Sequence, residues 1–83
     1  MSVVVELFGI PRLRAKRASL TLPPGKVGDV LAGLIAACPA LADLREHPGR
    51  YLLSLDGQRF LGDLDEWLPA GTRLLVLSAD AGG

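Results

Sequence analysis

The residues with the plainest chemical potential stand at the end of the sequence, where the apolar run Leu74-Leu75-Val76-Leu77 passes into Ser78-Ala79-Asp80-Ala81-Gly82-Gly83. At the average glycine usage of about 7%, two successive terminal glycines arise by chance in roughly 0.5% of chains. Glycine has no side chain to obstruct a narrow channel, and its backbone takes extended paths closed to other residues. A tail of small residues with nothing apolar to tie it down is expected to be flexible. Such a tail can thread into another protein's active site and present the α-carboxylate of Gly83, ionised at neutral pH. A carboxylate is a poor acyl donor, but attack of its oxygen on the α-phosphate of ATP makes an acyl-adenylate, which is a good one. Gly83 is therefore the expected site of modification, with Ala81 and Gly82 giving the slender approach.

Side chains that do chemistry in their own right are sparse. His47 is the only histidine and Cys38 the only cysteine, and Ser2, Ser19, Ser54 and Ser78 lack a Gly-x-Ser-x-Gly setting, so no nucleophile-base pair of the usual kind is assembled. There is no phosphate-binding loop, no GxGxxG and no pair of ligand-rich metal motifs. The expectation is a protein without catalytic residues, metal or bound cofactor.

Four other groups have a bland reading beside a sharper one. Cys38 falls on an apolar helical stripe and reads first as a small core hydrophobe, the alternative being a reactive thiol. Asp43, Glu46 and His47 have a spacing that could clamp a metal on a helix, against a solvated face beside a turn. Asp63, Asp65 and Glu66 read as a solvated loop or as part of a docking surface. Arg12, Arg14, Lys16 and Arg17 crowd a hairpin loop without interleaved aromatics, which suits an exposed loop or protein docking better than nucleic acid. Trp67 is expected to anchor in the core.

Composition limits the rest. Eighty-three residues with 49% hydrophobic content form one domain with a modest core and rule out disorder. Nine basic and nine acidic side chains leave no net field to attract a polyanion or an anionic membrane. Recognition should be local. One cysteine makes no internal disulfide, Met1 leads into SVVVELF without a basic stretch, and no apolar run nears the ~18 residues of a membrane span. These features lead to the expectation of a cytoplasmic protein.

The elements that must position the tail follow from the patterning. Val3 to Phe8 is strand chemistry, apolar at both parities and so central in a sheet, stopped by Gly9 and Pro11. Ser19 to Leu22 alternates with period two and ends at Pro23-Pro24-Gly25, giving a second strand in a hairpin with the first. Val27, Val30, Leu31, Leu34, Ile35 and Cys38 share one helical face that Pro39 terminates. Gly33 lies off that stripe and has no evident role. Pro39 to Glu46 predicts a short turn of helix with Leu41 and Leu44 capping the core. Tyr51 to Leu55 and Gln58 to Leu61 flank Asp56-Gly57, a hairpin signal. Leu64, Trp67 and Leu68 predict a compact helical turn before a last strand, Thr72 to Leu77. The order β-β-α-β-β-(turn)-β predicts an α+β fold of the β-grasp type, a mixed sheet of four to five strands with one main helix on one face. Its first and last strands lie parallel in the centre. Residues 1–78 form the domain and residues 79–83 the tail. If Leu74 and Val76 face the helix, Leu75 and Leu77 face away, joined by Val4, Phe8 and Leu52. That apolar set is a candidate partner surface, with Phe8, Leu75 and Leu77 the docking residues, unless loops cover it.

The chain resembles the ubiquitin-like sulfur-carrier family, MoaD/ThiS, which includes the small subunit of molybdopterin synthase. The resemblance rests on Val3-Val4-Val5-Glu6-Leu7-Phe8-Gly9, Lys26-Val27-Gly28-Asp29-Val30-Leu31, Pro39-Ala40-Leu41, Leu68-Pro69-Ala70-Gly71-Thr72 and Gly82-Gly83, in order along the whole chain. It implies that Gly83 is adenylated by a ubiquitin-activating-type adenylyltransferase that uses ATP. A thiocarboxylate then forms with sulfur from a cysteine desulfurase or another sulfurtransferase, and is delivered to a sulfur-accepting synthase subunit, most directly in molybdopterin biosynthesis. The carrier is then a protein co-substrate rather than an enzyme. The same tail also serves a ubiquitin-like modifier joined to lysines through Gly83, or sulfur donation to thiamine thiazole, cysteine, a secondary metabolite or tRNA.

Overall fold

The computed structural model describes residues 1–79. The β-branched run at the start forms β1 (Val3–Leu7), and the chain returns as β2 (Ser19–Leu22), antiparallel to it. Between them the polar stretch is not a loop but a short helix, α1 (Ile10–Ala15). Gly9 and Pro11 were expected only to break a strand, and here they also open this helix. Gly9 takes φ 61° and turns the chain, and Pro11 sits in the first turn, where its missing N–H has no helical partner to lose. Lys16 closes α1 in the left-handed region, its N–H donating to the Arg12 carbonyl at 3.0 Å.

A two-residue strand, β3 (Gly25–Lys26), leads into the main helix α2 (Val27–Ala37), which buries Val27, Val30, Leu31 and Leu34 as the spacing predicts, with Cys38 buried just past its end. Gly33 faces β2: a Cβ there would stand 3.4 Å from Leu22 Cδ2, an ordinary contact distance, so the approach of α2 to β2 does not require the glycine. A 3₁₀ turn at Pro39–Leu41, a single helical turn α3 (Asp43–Glu46) and a second 3₁₀ turn at Pro48–Arg50 carry the chain across the end of the sheet, with Leu41 and Leu44 buried as expected.

The chain then descends as β4 (Tyr51–Leu55) and turns at Asp56 (φ 54°) and Gly57 (φ 74°), the paired positive angles that the Asp-Gly sequence predicts. The return strand β5 (Arg59–Phe60) is shorter than expected. The compact helical turn expected at Leu64, Trp67 and Leu68 is absent. Instead β6 (Trp67–Leu68) pairs with β3 in a small ribbon, Gly25 opposite Leu68 and Lys26 opposite Trp67. Alternation in that ribbon buries Leu68 completely and leaves Trp67 61% exposed, so Trp67 is not a core anchor. Leu64, the first residue of the expected turn, is 57% exposed. The reason lies in the backbone. No side chain caps α2, and the carbonyls of Leu64 and Glu66 accept the N–H groups of Gly28 and Val27, each at 2.9 Å. The loop thus closes the open end of the helix by its main chain.

The last strand, β7 (Arg73–Ser78), enters the middle of a five-stranded sheet of order β2-β1-β7-β4-β5, parallel to β1 and antiparallel to β4. This is the β-grasp arrangement that the pattern predicts. Val3, Val5 and Leu7 of β1 and Leu74 and Val76 of β7 pack with the buried face of α2, each side chain worth about 1.5–3 kcal/mol on burial.

Candidate functional site

β1 and β7 finish at the same end of the sheet, and that end organises the site. Leu7 pairs with Val76, the Phe8 N–H donates to the Val76 carbonyl at 3.1 Å, and Ser78 pairs with Tyr51. The central strand therefore leaves the sheet between Phe8 and Tyr51. Ala81, Gly82 and Gly83 lie outside the described residues.

The faces of β7 differ sharply. Leu74, Val76 and Ser78 are buried on the helix side, whereas Leu75 and Leu77 are half-buried on the other. Register puts Val4 and Glu6 of β1 and Leu52 and Ser54 of β4 on that second face. Glu6 and Arg73 form an ion pair across it. Phe8 is 36% exposed at its upper rim. The structure thus gathers Phe8, Leu75 and Leu77 along the central strand and its edge, with Val4 and Leu52 beside them.

A polar cluster that sequence reasoning did not identify sits beside the end of β7. The Tyr51 hydroxyl donates to Asp43 Oδ1, and Arg14 Nη1 donates to Asp43 Oδ2 at 2.7 Å and to the Tyr51 hydroxyl at 3.1 Å. Arg50 Nη1 approaches Asp43 Oδ2 at 3.9 Å. These residues, with Ile10 and Ser78, line a small hollow of about 120 Å³. Burial pushes the Asp43 carboxyl up, but the bonds from Tyr51 and Arg14 outweigh it and hold Asp43 below its usual value. Burial, then the bond to Asp43, raises Tyr51 above its usual value. The cluster ties α1, α3 and β4 together around the strand end. Its signal in the sequence was slight: a lone tyrosine opening a strand, whose hydroxyl needs a partner once buried.

The remaining candidates fall into place around these features. Asp43 is engaged by Tyr51 and Arg14, Glu46 and His47 are exposed, and no metal-holding group occurs among the described residues. Cys38 is a free, buried thiol in the core cluster. Asp63 accepts from the Asp65 N–H at 2.8 Å, and Glu66 pairs with Arg59. Of the basic group, Arg14 is turned to Asp43, while Arg12, Lys16 and Arg17 are exposed on and after α1. On the helix side, a groove of about 290 Å³ runs between α2 and residues 61–64, lined by apolar side chains including Ile35, Phe60 and Leu64. No helix among the described residues is long and apolar enough to cross a membrane.

No protein-family profile and no curated protein matches the chain. Solved structures do. The small archaeal modifier protein 1 of Methanosarcina acetivorans is 26% identical over 99% of this chain and 96% of its own, with a TM-score of 0.82. The crystal structure of the protein of the same name from Haloferax volcanii is 25% identical over the whole of both chains, with a TM-score of 0.80. A complex of subunits 1 and 2 of the molybdopterin-converting factor from Helicobacter pylori contains a chain matched over its whole length at 20% identity and a TM-score of 0.68, a likeness of fold.

Proposed function

We infer, from the premise that the chain fits the ubiquitin-like MoaD/ThiS group of β-grasp proteins, that it is a carrier whose working group is the carboxyl of Gly83. The observation that carries this reading is the placement of β7: the central strand ends at Ser78 on the rim of the sheet, and the sequence runs on from there as Ala-Asp-Ala-Gly-Gly. Gly83 is taken as the mature carboxyl terminus. An adenylyltransferase of the ubiquitin-activating type joins that carboxylate to the α-phosphate of ATP and releases pyrophosphate. The outer sulfur of a sulfurtransferase or desulfurase persulfide then displaces AMP from the carbonyl. A thiol of the partner cleaves the resulting S–S bond, leaving a thiocarboxylate on Gly83 and a disulfide on the partner. A synthase subunit takes the sulfur, in a molybdopterin-type pathway by preference, in the cytoplasm. Ala81 and Gly82 let the end thread into each active site, while Phe8, Leu75 and Leu77 dock against the partner. The carrier supplies no catalytic side chain and binds no cofactor. ATP is bound by the activating partner.

A second reading has a specific observation behind it, since the two solved relatives at 25–26% identity are both described as modifier proteins. In that reading Gly83 forms an isopeptide bond with lysines, and a ladder of higher-mass conjugates in the source cells distinguishes it. Both readings require ATP-dependent adenylation of Gly83. Incubation with the cognate adenylyltransferase of the source organism tests this: the full chain supports ATP–pyrophosphate exchange, and a chain lacking Gly83 does not, while melting at the same temperature. Equal exchange from both chains overturns the reading.

A further inference from the structure

The balanced net charge conceals a segregation that only the fold reveals. Among the described residues, those at the end where β1 and β7 finish, on α1 and between α2 and β4, include Arg12, Arg14, Lys16, Arg17, Arg45 and Arg50 against only Asp43 and Glu46; the ninth acid, Asp80, follows β7 in the sequence outside the described residues. The opposite end and the strand interiors hold Lys26, Arg59 and Arg73 against Glu6, Asp29, Asp56, Asp63, Asp65 and Glu66. Arg59 and Arg73 are moreover paired, with Glu66 and Glu6 respectively. The end from which the central strand departs is therefore cationic, and the far end is anionic.

Within the cationic end, α1 carries the most available charge. Arg12, Lys16 and Arg17 are exposed, and among the described residues no carboxylate pairs with any of them; Arg17 Nε donates only to the Ser19 carbonyl at 3.3 Å. Large apolar side chains stand among them: Ile10 is 44% exposed, Leu13 75%, and Phe8 lies just before. Ile10 and Leu13 are three residues apart on α1 and so share one side of it. Arg14, by contrast, reaches inward to Asp43 and Tyr51 and holds α1 against the strand end.

We propose that Ile10 and Leu13, ringed by Arg12, Lys16 and Arg17, form a docking surface for a protein partner that presents an apolar hollow edged by carboxylates. Cations alone would equally suit a phosphate backbone, but a phosphate backbone offers nothing to two exposed aliphatic side chains, and no aromatic residue on α1 is placed to stack a base. Charge complementarity around an apolar centre is the anatomy of a protein interface. The surface rests on the proposed function above in one respect: the partner is the protein that receives the chain's end, because α1 flanks the point where β7 leaves the sheet. The cations speed encounter, and Ile10 and Leu13 hold the complex.

The test is ATP–pyrophosphate exchange by the cognate adenylyltransferase, read as KM and kcat for the carrier at two salt concentrations. The variants are R12E/K16E/R17E and L13D, both at exposed positions. The triple variant should raise KM about tenfold or more at roughly 0.1 M salt, where the Debye length is ~10 Å, with kcat nearly unchanged. It should also remove most of the salt dependence shown by the wild-type chain. L13D should raise KM at both salt concentrations. If the wild-type chain is adenylated and both variants match it in KM and salt dependence, the surface is refuted and the carrier reading stands. If the wild-type chain is not adenylated, the carrier reading fails and this surface fails with it. Binding of wild-type chain, but not the triple variant, to a mixed-sequence single-stranded oligonucleotide, together with unchanged KM values, would assign the cations to nucleic acid instead.

Discussion

Replacing Tyr51 with phenylalanine removes one oxygen from the cluster at the strand end and leaves the ring in place. That oxygen donates to Asp43 and accepts from Arg14 at 3.1 Å. A hydrogen bond to a charged group is worth about 1.5–3 kcal/mol. Asp43 retains its bond from Arg14 at 2.7 Å, and the Arg14 side chain is 44% exposed, so screening places the loss near the lower bound, about 1.5 kcal/mol. In a domain of this size that is a fall of about 6–12 °C in melting temperature. Urea unfolding of both chains measures it.

The pH dependence is a second check on the same cluster. Asp43 titrates below its unfolded value, so its contribution is present above the unfolded pKa of about 3.9 and fades as pH falls through the lower folded value. The difference between wild-type chain and Tyr51→Phe should therefore narrow below about pH 4. Tyr51 is raised by burial and then by Asp43, so its contribution is present below the unfolded pKa of about 10 and is lost as pH rises through the folded value. Because it is the only tyrosine in the chain, tyrosinate absorbance reports that group alone. Folded protein should ionise at higher pH than protein in urea. A stability difference below about 0.5 kcal/mol, the scatter expected of an inert surface change, or identical tyrosinate titrations in the folded and unfolded states, would refute the account of the cluster.

Two further outcomes follow from single contacts. Gly33→Ala should stabilise the protein by about 0.5–1 kcal/mol, because α2 gains helix propensity and the nearest obstacle, Leu22 Cδ2 at 3.4 Å, is the end of a rotatable side chain; a lower midpoint in urea would mean that Leu22 cannot yield. Changing Leu75 and Leu77 together to threonine keeps β propensity on the half-buried face and should leave a folded domain by circular dichroism. The same pair should raise the half-saturating concentration in the adenylation assay at least tenfold, and an unchanged value would remove that face from docking.

How much of this could be read from the sequence depended on whether the cause was local. The strand β1, the helix α2 and the parity of β7 were legible because burial imposes a period, two for strands and 3.6 for helices, on residues next to one another. The Asp56-Gly57 turn was legible because few residues tolerate positive φ. Helix α1 was not, since its six residues are too few for a stripe and its opening residues, Gly9 and Pro11, are also strand breakers. The burial expected of Trp67 fails because its neighbour Leu68 fills the interior and pairing with β3 turns the indole outward. The Arg14-Asp43-Tyr51 cluster brings Arg14 to partners 29 and 37 residues away and has no local signature. The charge separation was hidden for the same reason: the sum is zero, and only the topology sorts the signs to opposite ends.

The most direct measurement is the intact mass of the full chain purified together with its native adenylating and sulfur-transferring partners. The account predicts a population ending at Gly83 and heavier than the unmodified chain by the difference between one sulfur and one oxygen atom, removed by substituting the terminal glycine or withholding ATP. A chain that remains at its unmodified mass under these conditions and forms no conjugates, or one that extends beyond Gly83 in its mature form, would contradict it.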